Sequence, residues 1–293
     1  MKQPNIGFFT EKNSIETVKS RHKDCDNPRL KKIMDVVIEK IHEAVKEIEP
    51  TQDEWMEAIK FLTAVGHKSD DWRQEYILFS DVMGVSMLVD AINNRKPEGA
   101  SESTVLGPFH LADAPEREMG ENICLDQKGS QVLVRGKVLD TEGNPIKGVK
   151  IDVWQANDDG FYDVQQKGIQ PDFNLRGVFR TAADGEYWFR AVKPVHYSIP
   201  DDGPVGDLTK ALGRHAWRPA HLHYILSADG FETLVTHIFD PNDPYIESDA
   251  VFGVKASLLC EYQAINDENR AKELDFKNPF LVSEHDFVLA RST

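Results

Sequence analysis

Two histidines one residue apart, His221 and His223, stand in Arg218-Pro-Ala-His-Leu-His223, and two tyrosines close segments upstream of them. Tyr162 ends Val153-Trp-Gln-Ala-Asn-Asp-Asp-Gly-Phe-Tyr162, and Tyr197 ends Pro194-Val-His-Tyr197. In an extended strand alternate side chains share a face about 7 Å apart, so His221 and His223 can reach one ion while Leu222 turns into apolar packing. Phenolate is a hard anionic donor suited to a trivalent metal, and imidazole is a borderline donor suited to iron. The four together ask for iron(III), whose charge two phenolates would largely offset in a dry pocket. Zinc, ordinarily held by thiolate, imidazole and carboxylate, is a poorer match. Each residue also has a plainer reading when taken singly. A buried histidine is usually a hydrogen-bonded core residue, and a tyrosine at a strand end usually ties its hydroxyl to backbone. Arg218, permanently cationic and on the same stretch as the histidines, is either a stabiliser of negative charge in a reaction or half of an ordinary ion pair.

The elements that must position these groups fall into two regions of different periodicity. Residues 28 to 95 read as helices. Leu30, Ile33, Met34, Val37, Ile41, Val45 and Ile48 recur at three- and four-residue steps and end before Pro50. Thr51 with Glu54 makes a capping-box signature for a second helix carrying Trp55, Ile59, Leu62 and Thr63 on one face. A third helix is expected from about Asp70 to Asn93, with Tyr76, Ile77, Val85, Leu88 and Val89 buried, ended by Arg95-Lys96-Pro97. From Ser130 the pattern changes to short β-rich runs between turn signals: Gln131–Leu139, Val149–Trp154, Gly177–Thr181, Glu186–Arg190 and Phe231–Phe239. Asp184-Gly185 is a hairpin cue between two of them. The expected fold is α+β: a helical N-terminal domain over residues 1–100, then a mainly antiparallel β-sandwich over residues 101–293, with the join in the Pro, Glu, Gly, Ala and Ser cluster near residues 97 to 104.

Composition narrows the partners. At 293 residues, 40% apolar and 28% charged, the chain can bury a real core. A formal charge of −15 repels polyanions, and no basic run with interleaved aromatics offsets it, so nucleic acid is an unsuited partner and a small organic ligand is expected. No stretch approaches the roughly 18 to 20 apolar residues of a membrane span, and Met1 to Lys12 lacks the pattern of a signal peptide. Three scattered cysteines, Cys25, Cys124 and Cys260, fit a reducing compartment, so the expected address is the cytoplasm.

The three segments carrying the tyrosines, the histidines and Arg218 resemble, in order and approximate spacing, the metal-bearing segments of the intradiol ring-cleavage dioxygenases, the catechol 1,2-dioxygenase group. The likeness extends over almost the whole chain. It implies iron(III) held by Tyr162, Tyr197, His221 and His223, with Tyr197 as the ligand that leaves when substrate binds, and Arg218 stabilising charge on the ring. Gln74-Glu-Tyr-Ile-Leu-Phe-Ser-Asp-Val-Met-Gly84 and Glu102-Ser-Thr-Val-Leu-Gly-Pro-Phe109 are similar to the branch acting on hydroxyquinol, benzene-1,2,4-triol. That likeness implies a pocket lined by Leu78, Asp81, Val105, Leu106, Gly107, Pro108, Phe109, Ile199, Pro200 and Val251. Asp81, a carboxylate among Ile77, Leu78, Phe79 and Val82, is either at a wet helix edge or facing a polar ligand group such as a third hydroxyl. His237 stands where the catechol enzymes commonly carry glutamine, and either donates a hydrogen bond to bound substrate or is core. The resemblance further implies a homodimer formed through the helical region, with a lipid between the helices in some members.

Rival expectations come from other classes. A non-catalytic β-sandwich binding module shares the style of residues 134 to 153 but has no reason to gather phenolates and imidazoles. An extradiol enzyme would use iron(II) with two histidines and a carboxylate. Within the same family, catechol cleavage to cis,cis-muconate is the alternative to hydroxyquinol cleavage.

Overall fold

The computed structural model describes residues 8–71 and 73–292. Part of the stretch read for a signal peptide, Met1 to Gly7, lies outside them, as does Trp72 within the expected third helix. The helices before the sheets are α1 (Ser14–Lys19), α2 (Pro28–Ile48), α3 (Gln52–Lys68), α4 (Glu75–Val82) and α5 (Val85–Asn93). α2 starts where Asn27 accepts a hydrogen bond from the Leu30 amide and Pro28 fills the first turn. It stops at Glu49, whose positive φ of 50° precedes Pro50. The Thr51–Glu54 capping box forms in both directions, at 2.8 and 3.2 Å.

Two features of the helical reading are corrected. The expected single helix over Asp70 to Asn93 is two, because Gly84 adopts φ +72°, a left-handed conformation that ends α4 and caps α5. The residues expected to be buried there, Tyr76, Ile77, Val85, Leu88 and Val89, are exposed, and the buried ones are Glu75, Val82 and Met87. The apolar side chains of these two stripes are thus largely exposed in the single chain.

By compactness the chain divides into residues 1–64 and 65–293, a division that falls inside α3. Within the second unit the strands are β1 (Gln131–Asp140), β2 (Lys150–Trp154), β3 (Arg176–Arg180), β4 (Glu186–Val192), β5 (Tyr197–Ser198), β6 (Trp217–Arg218), β7 (His221–Ser227), β8 (Leu234–Phe239), β9 (Gln263–Ile265), β10 (Phe280–Glu284) and β11 (Phe287–Leu289), with α6 (Pro204–Ala211) and α7 (Glu268–Glu273) between them. One sheet is antiparallel in the order β3-β2-β7-β8. A second is centred on β1, which pairs antiparallel with β4 and parallel with β10 and β11, and β5 and β6 form a separate antiparallel pair that sets Tyr197 opposite Arg218.

Alternation fixes which residues meet. Ile151 and Val153 of β2, Leu222, Tyr224 and Leu226 of β7, and Ile238 of β8 pack on Val132, Val134, Phe189 and Ala191 of the opposite sheet. Asp184-Gly185 makes a tight turn, with Gly185 N–H donating to the Ala182 carbonyl, but the hairpin expected across it is absent. β3 pairs with β2 and β4 with β1, so the turn carries the chain from one sheet to the other. The cause is a competing partner: the Gly185 carbonyl accepts from the Val138 amide on β1, pulling the following strand onto that sheet.

Candidate metal centre

The face of the antiparallel sheet turned away from the core carries the chemistry. Because Leu222 points inward, His221 and His223 point outward together, and the pairing register aligns Arg176, Trp154, His223 and His237 in one row across β3, β2, β7 and β8. The indole of Trp154 stacks on the His223 ring at 4.6 Å and 11°, and His237 stacks on His221 at 4.6 Å and 11°. These contacts leave the imidazoles little freedom to rotate.

The four sequence-predicted donors come together and are almost fully buried. Tyr162 Oη lies 2.7 Å from His223 Nε2, which lies 3.1 Å from His221 Nε2, while the Tyr197 ring meets those of Tyr162 and His221 at 5.4 and 5.5 Å. His221 Nδ1 donates to the Pro219 carbonyl at 2.7 Å, so its Nε2 presents a bare lone pair to the centre. Burial first, then the Arg218 charge, hold the His221 imidazole down at about 3, and burial likewise holds His223 and His237 well below the usual imidazole value. Neutral rings are the state a metal needs. Burial also pushes the Tyr162 phenol well up, with Tyr197 adding to it, so phenolate here requires a cation as its partner. Donor separations of about 3 Å are what ligands at about 2 Å from one ion require. The residues therefore fit a hard, high-charge cation, and His221, His223 and His237 also converge as a three-imidazole cluster with ligand atoms within 4.8 Å of one another.

Arg218 lies beside the donors. It is buried, with Nη1 at 3.4 Å from both Tyr197 Oη and His221 Nε2, and with Nη2 at 3.5 Å from His237 Nδ1. Burial opposes its charge, but Asp249 together with the nearby Tyr197 and Tyr162 outweighs that and raises its pKa above the ordinary arginine value. His237 is 0% exposed, which makes it part of the site's floor.

The expected pocket residues lie on four segments, 78–81, 105–109, 199–200 and 251. Phe109 stacks on Tyr162 at 4.5 Å and 27°, and Gly107 passes so close that a Cβ there would sit 3.0 Å from His223 Cε1. Val105 is half-buried, whereas Leu106 and Pro108 are exposed. Leu78 and Asp81 are half-buried on α4, and burial raises the Asp81 pKa although Ser86 and Arg218 oppose this. Ile199 is buried and Pro200 exposed, directly after Tyr197-Ser198, and the buried Val251 follows the Asp249 that holds Arg218.

Other contributors were not singled out from sequence. Asp249 carries no local motif; the signal for it was that a buried arginine demands a carboxylate. Arg176, 1% exposed, donates to Asp163 Oδ1 from Nε and Nη2, and to the Phe109 carbonyl, tying the Tyr162 segment to the Phe109 loop.

A two-sheet sandwich that gathers two tyrosines and two histidines into one buried donor set points to a class, and comparison with known proteins supplies it. The family model described as "Dioxygenase" matches residues 106–289, and "Catechol dioxygenase N terminus" matches 27–101. A hydroxyquinol 1,2-dioxygenase of Rhizobium sp. (strain MTP-10005) is 70% identical, over 97% of each chain. The crystal structure of a hydroxyquinol 1,2-dioxygenase from Pseudomonas putida DLL-E4 superposes with a TM-score of 0.92 at 46% identity, covering 96% of this chain and 99% of that one. A catechol 1,2-dioxygenase from Acinetobacter sp. ADP1 gives 0.81 at 28%, covering 95% and 91%. The chain belongs to the intradiol ring-cleavage dioxygenases and is an enzyme of that family.

Proposed function

We propose that this enzyme opens hydroxyquinol between its adjacent hydroxyls, adding both atoms of O2 to give 3-hydroxy-cis,cis-muconate, which tautomerises to maleylacetate, with iron(III) held by Tyr162, Tyr197, His221 and His223. The observation that carries the reading is the convergence of the Tyr162 hydroxyl and the Nε2 atoms of His221 and His223 on one buried point beside Tyr197 and Arg218. Bound there, ferric iron would supply Lewis-acid activation of a catecholate toward O2.

The protein's own groups do the rest. Tyr197 Oη, at the edge of the donor set, accepts a proton from a substrate hydroxyl. Arg218, fixed by Asp249, offers a positive charge where negative charge builds on the ring, without reorganising. His237 sets the far side of that guanidinium. Phe109, Ile199, Val251 and Leu78 exclude water, and with Asp81, Val105, Leu106, Gly107, Pro108 and Pro200 they bound the ring. Asp81 receives the third hydroxyl, which is the feature distinguishing hydroxyquinol from catechol.

The helical region, residues 1–100, serves a homodimer, and the β region, residues 101–293, serves catalysis. In support, the α2 stripe from Leu30 to Ile48 and the α3 residues Trp55, Ile59 and Leu62 are exposed in the single chain, an apolar surface suited to a second copy with lipid between the helices. No helix among the described residues is long and apolar enough to cross a membrane. The three free cysteines support a cytoplasmic address.

The test is to purify the chain with iron and supply hydroxyquinol and catechol in turn. The expected result is a red protein, from phenolate-to-iron charge transfer, whose products absorb in the ultraviolet and which favours hydroxyquinol. A colourless protein that consumes neither substrate supports the binding module instead, and a yellow semialdehyde from catechol supports the extradiol rival.

A further inference from the structure

Glu75, the first residue of α4, is 0% exposed, although a carboxylate is among the costliest groups to bury. Its oxygens are used in two directions. Oε2 accepts from Arg73 Nε at 2.8 Å, and Oε1 accepts from the Val205 amide at 3.2 Å, in the first turn of α6. The residue at the N-cap of α6 is Gly203, which has no side chain to cap with, and the space a Cβ would need is taken: it would sit 2.5 Å from Glu75 Oε1. A serine or aspartate at 203 could have capped α6 locally. The cap comes instead from another helix, and its negative charge suits the positive end of the helix dipole.

The other end of α4 is tied to the same region. Arg214, just beyond α6, donates from Nη1 to the Val82 carbonyl at 2.6 Å and from Nη2 to the Ala250 carbonyl at 3.0 Å. Arg73 also pairs with Asp202, which Lys68 contacts at 3.1 Å. Between the two ties α4 carries Leu78 and Asp81. The segments it is tied to carry Ile199 and Pro200 before α6, and Val251 after Ala250.

We propose that Glu75 and Arg214 form a two-ended clamp that sets where α4 holds Asp81 relative to the centre, making Glu75 a positioning residue for discrimination of hydroxyquinol from catechol. The inference rests on the reading of Asp81 as the partner of the third hydroxyl. Asp81 lies six residues from Glu75 on one short helix, about 9 Å along its axis, so release of the α4 N-terminus is felt there. Catechol lacks the group that Asp81 receives and is predicted to be indifferent to the shift.

The test uses the full-length, iron-loaded enzyme without O2, titrated with hydroxyquinol or catechol while the visible charge-transfer band is followed, so that affinity is read without turnover. Glu75→Ala removes the cap. Gly203→Ala displaces the Glu75 carboxylate without changing any charge, at a backbone conformation (φ −131°) open to alanine. Both variants are expected to weaken hydroxyquinol binding about tenfold, the scale of one buried hydrogen bond. Catechol affinity, iron content and the ligand-free spectrum are expected to stay near wild type. Glu75→Gln, which keeps an oxygen for the Val205 amide, falls between, and amide exchange across residues 75–82 speeds up in Glu75→Ala and Gly203→Ala. If both variants bind hydroxyquinol as tightly as wild type, or lose the two ligands equally, the clamp has no part in selectivity and the inference falls. If Glu75→Ala does not fold, Gly203→Ala decides alone. Wild-type enzyme that fails to bind hydroxyquinol overturns the proposed substrate and with it the selectivity role, while the exchange rates separately show whether α4 is clamped.

Discussion

Arg218 and Asp249 face each other in a paired geometry, Nε to Oδ1 at 3.1 Å and Nη2 to Oδ2 at 3.2 Å, with both side chains shielded from water. Asp249 also accepts from the amides of Val251 and Gly253, so one carboxylate aims the guanidinium and shapes the loop beside it. Removing one partner leaves the other charge buried and unpaired. Asp249→Asn is expected to cost about 3–5 kcal/mol in stability, measured by denaturant unfolding. Arg218 holds the Asp249 pKa below its ordinary value despite burial. A lowered folded-state pKa means that the pair's contribution is complete above about pH 4 and is lost as pH falls through the folded value. The wild-type advantage over Asp249→Asn should therefore shrink on acidification.

Tyr162→Phe removes the donor oxygen that sits 2.7 Å from His223 Nε2 while keeping the ring that stacks on Phe109. Metal analysis is expected to show most of the iron lost, with a folded protein by circular dichroism. Full iron occupancy with an unchanged visible band would remove Tyr162 from the proposed donor set.

Asp81→Asn separates function from stability. Burial raises the Asp81 pKa, so the folded state binds its proton more tightly than the unfolded chain and an ionised Asp81 costs stability at neutral pH. The variant should melt higher than wild type at pH 7, with the gain fading below the ordinary carboxylate range, where the wild-type carboxyl is protonated in both states. Its kcat/KM ratio for hydroxyquinol over catechol should fall. A variant that melts lower at pH 7, or keeps the wild-type ratio, counts against the assignment.

Phe189→Ala tests the scaffold rather than the site. Phe189 is 0% exposed and stacks on Phe179 at 4.9 Å between the sheets. The truncation is expected to cost about 3–5 kcal/mol. The ring lies on the core side and the donors on the opposite face of the antiparallel sheet, so folded variant should retain its iron.

That His221 and His223 share a face was legible because period-two alternation determines a strand's faces: with Leu222 in the core, the two histidines had to share the other side. The capping box at Thr51 was equally local. What escaped were decisions made over long separations. Nothing near Asp184-Gly185 reveals that Val138 will claim the Gly185 carbonyl, and nothing near residue 249 announces a partner 31 residues earlier. The stripes carrying Tyr76, Ile77 and Leu88 were real, but periodicity says that a face is apolar and leaves open what covers it.

The most direct test of the central claim is to supply the iron-loaded enzyme with benzene-1,2,4-triol under 18O2 and identify the product by mass spectrometry and NMR. The predicted result is maleylacetate, from cleavage between the adjacent hydroxyls, carrying label from O2 in its carboxyl groups. An unlabelled product, cleavage beside rather than between those hydroxyls, or recovery of intact triol would contradict it.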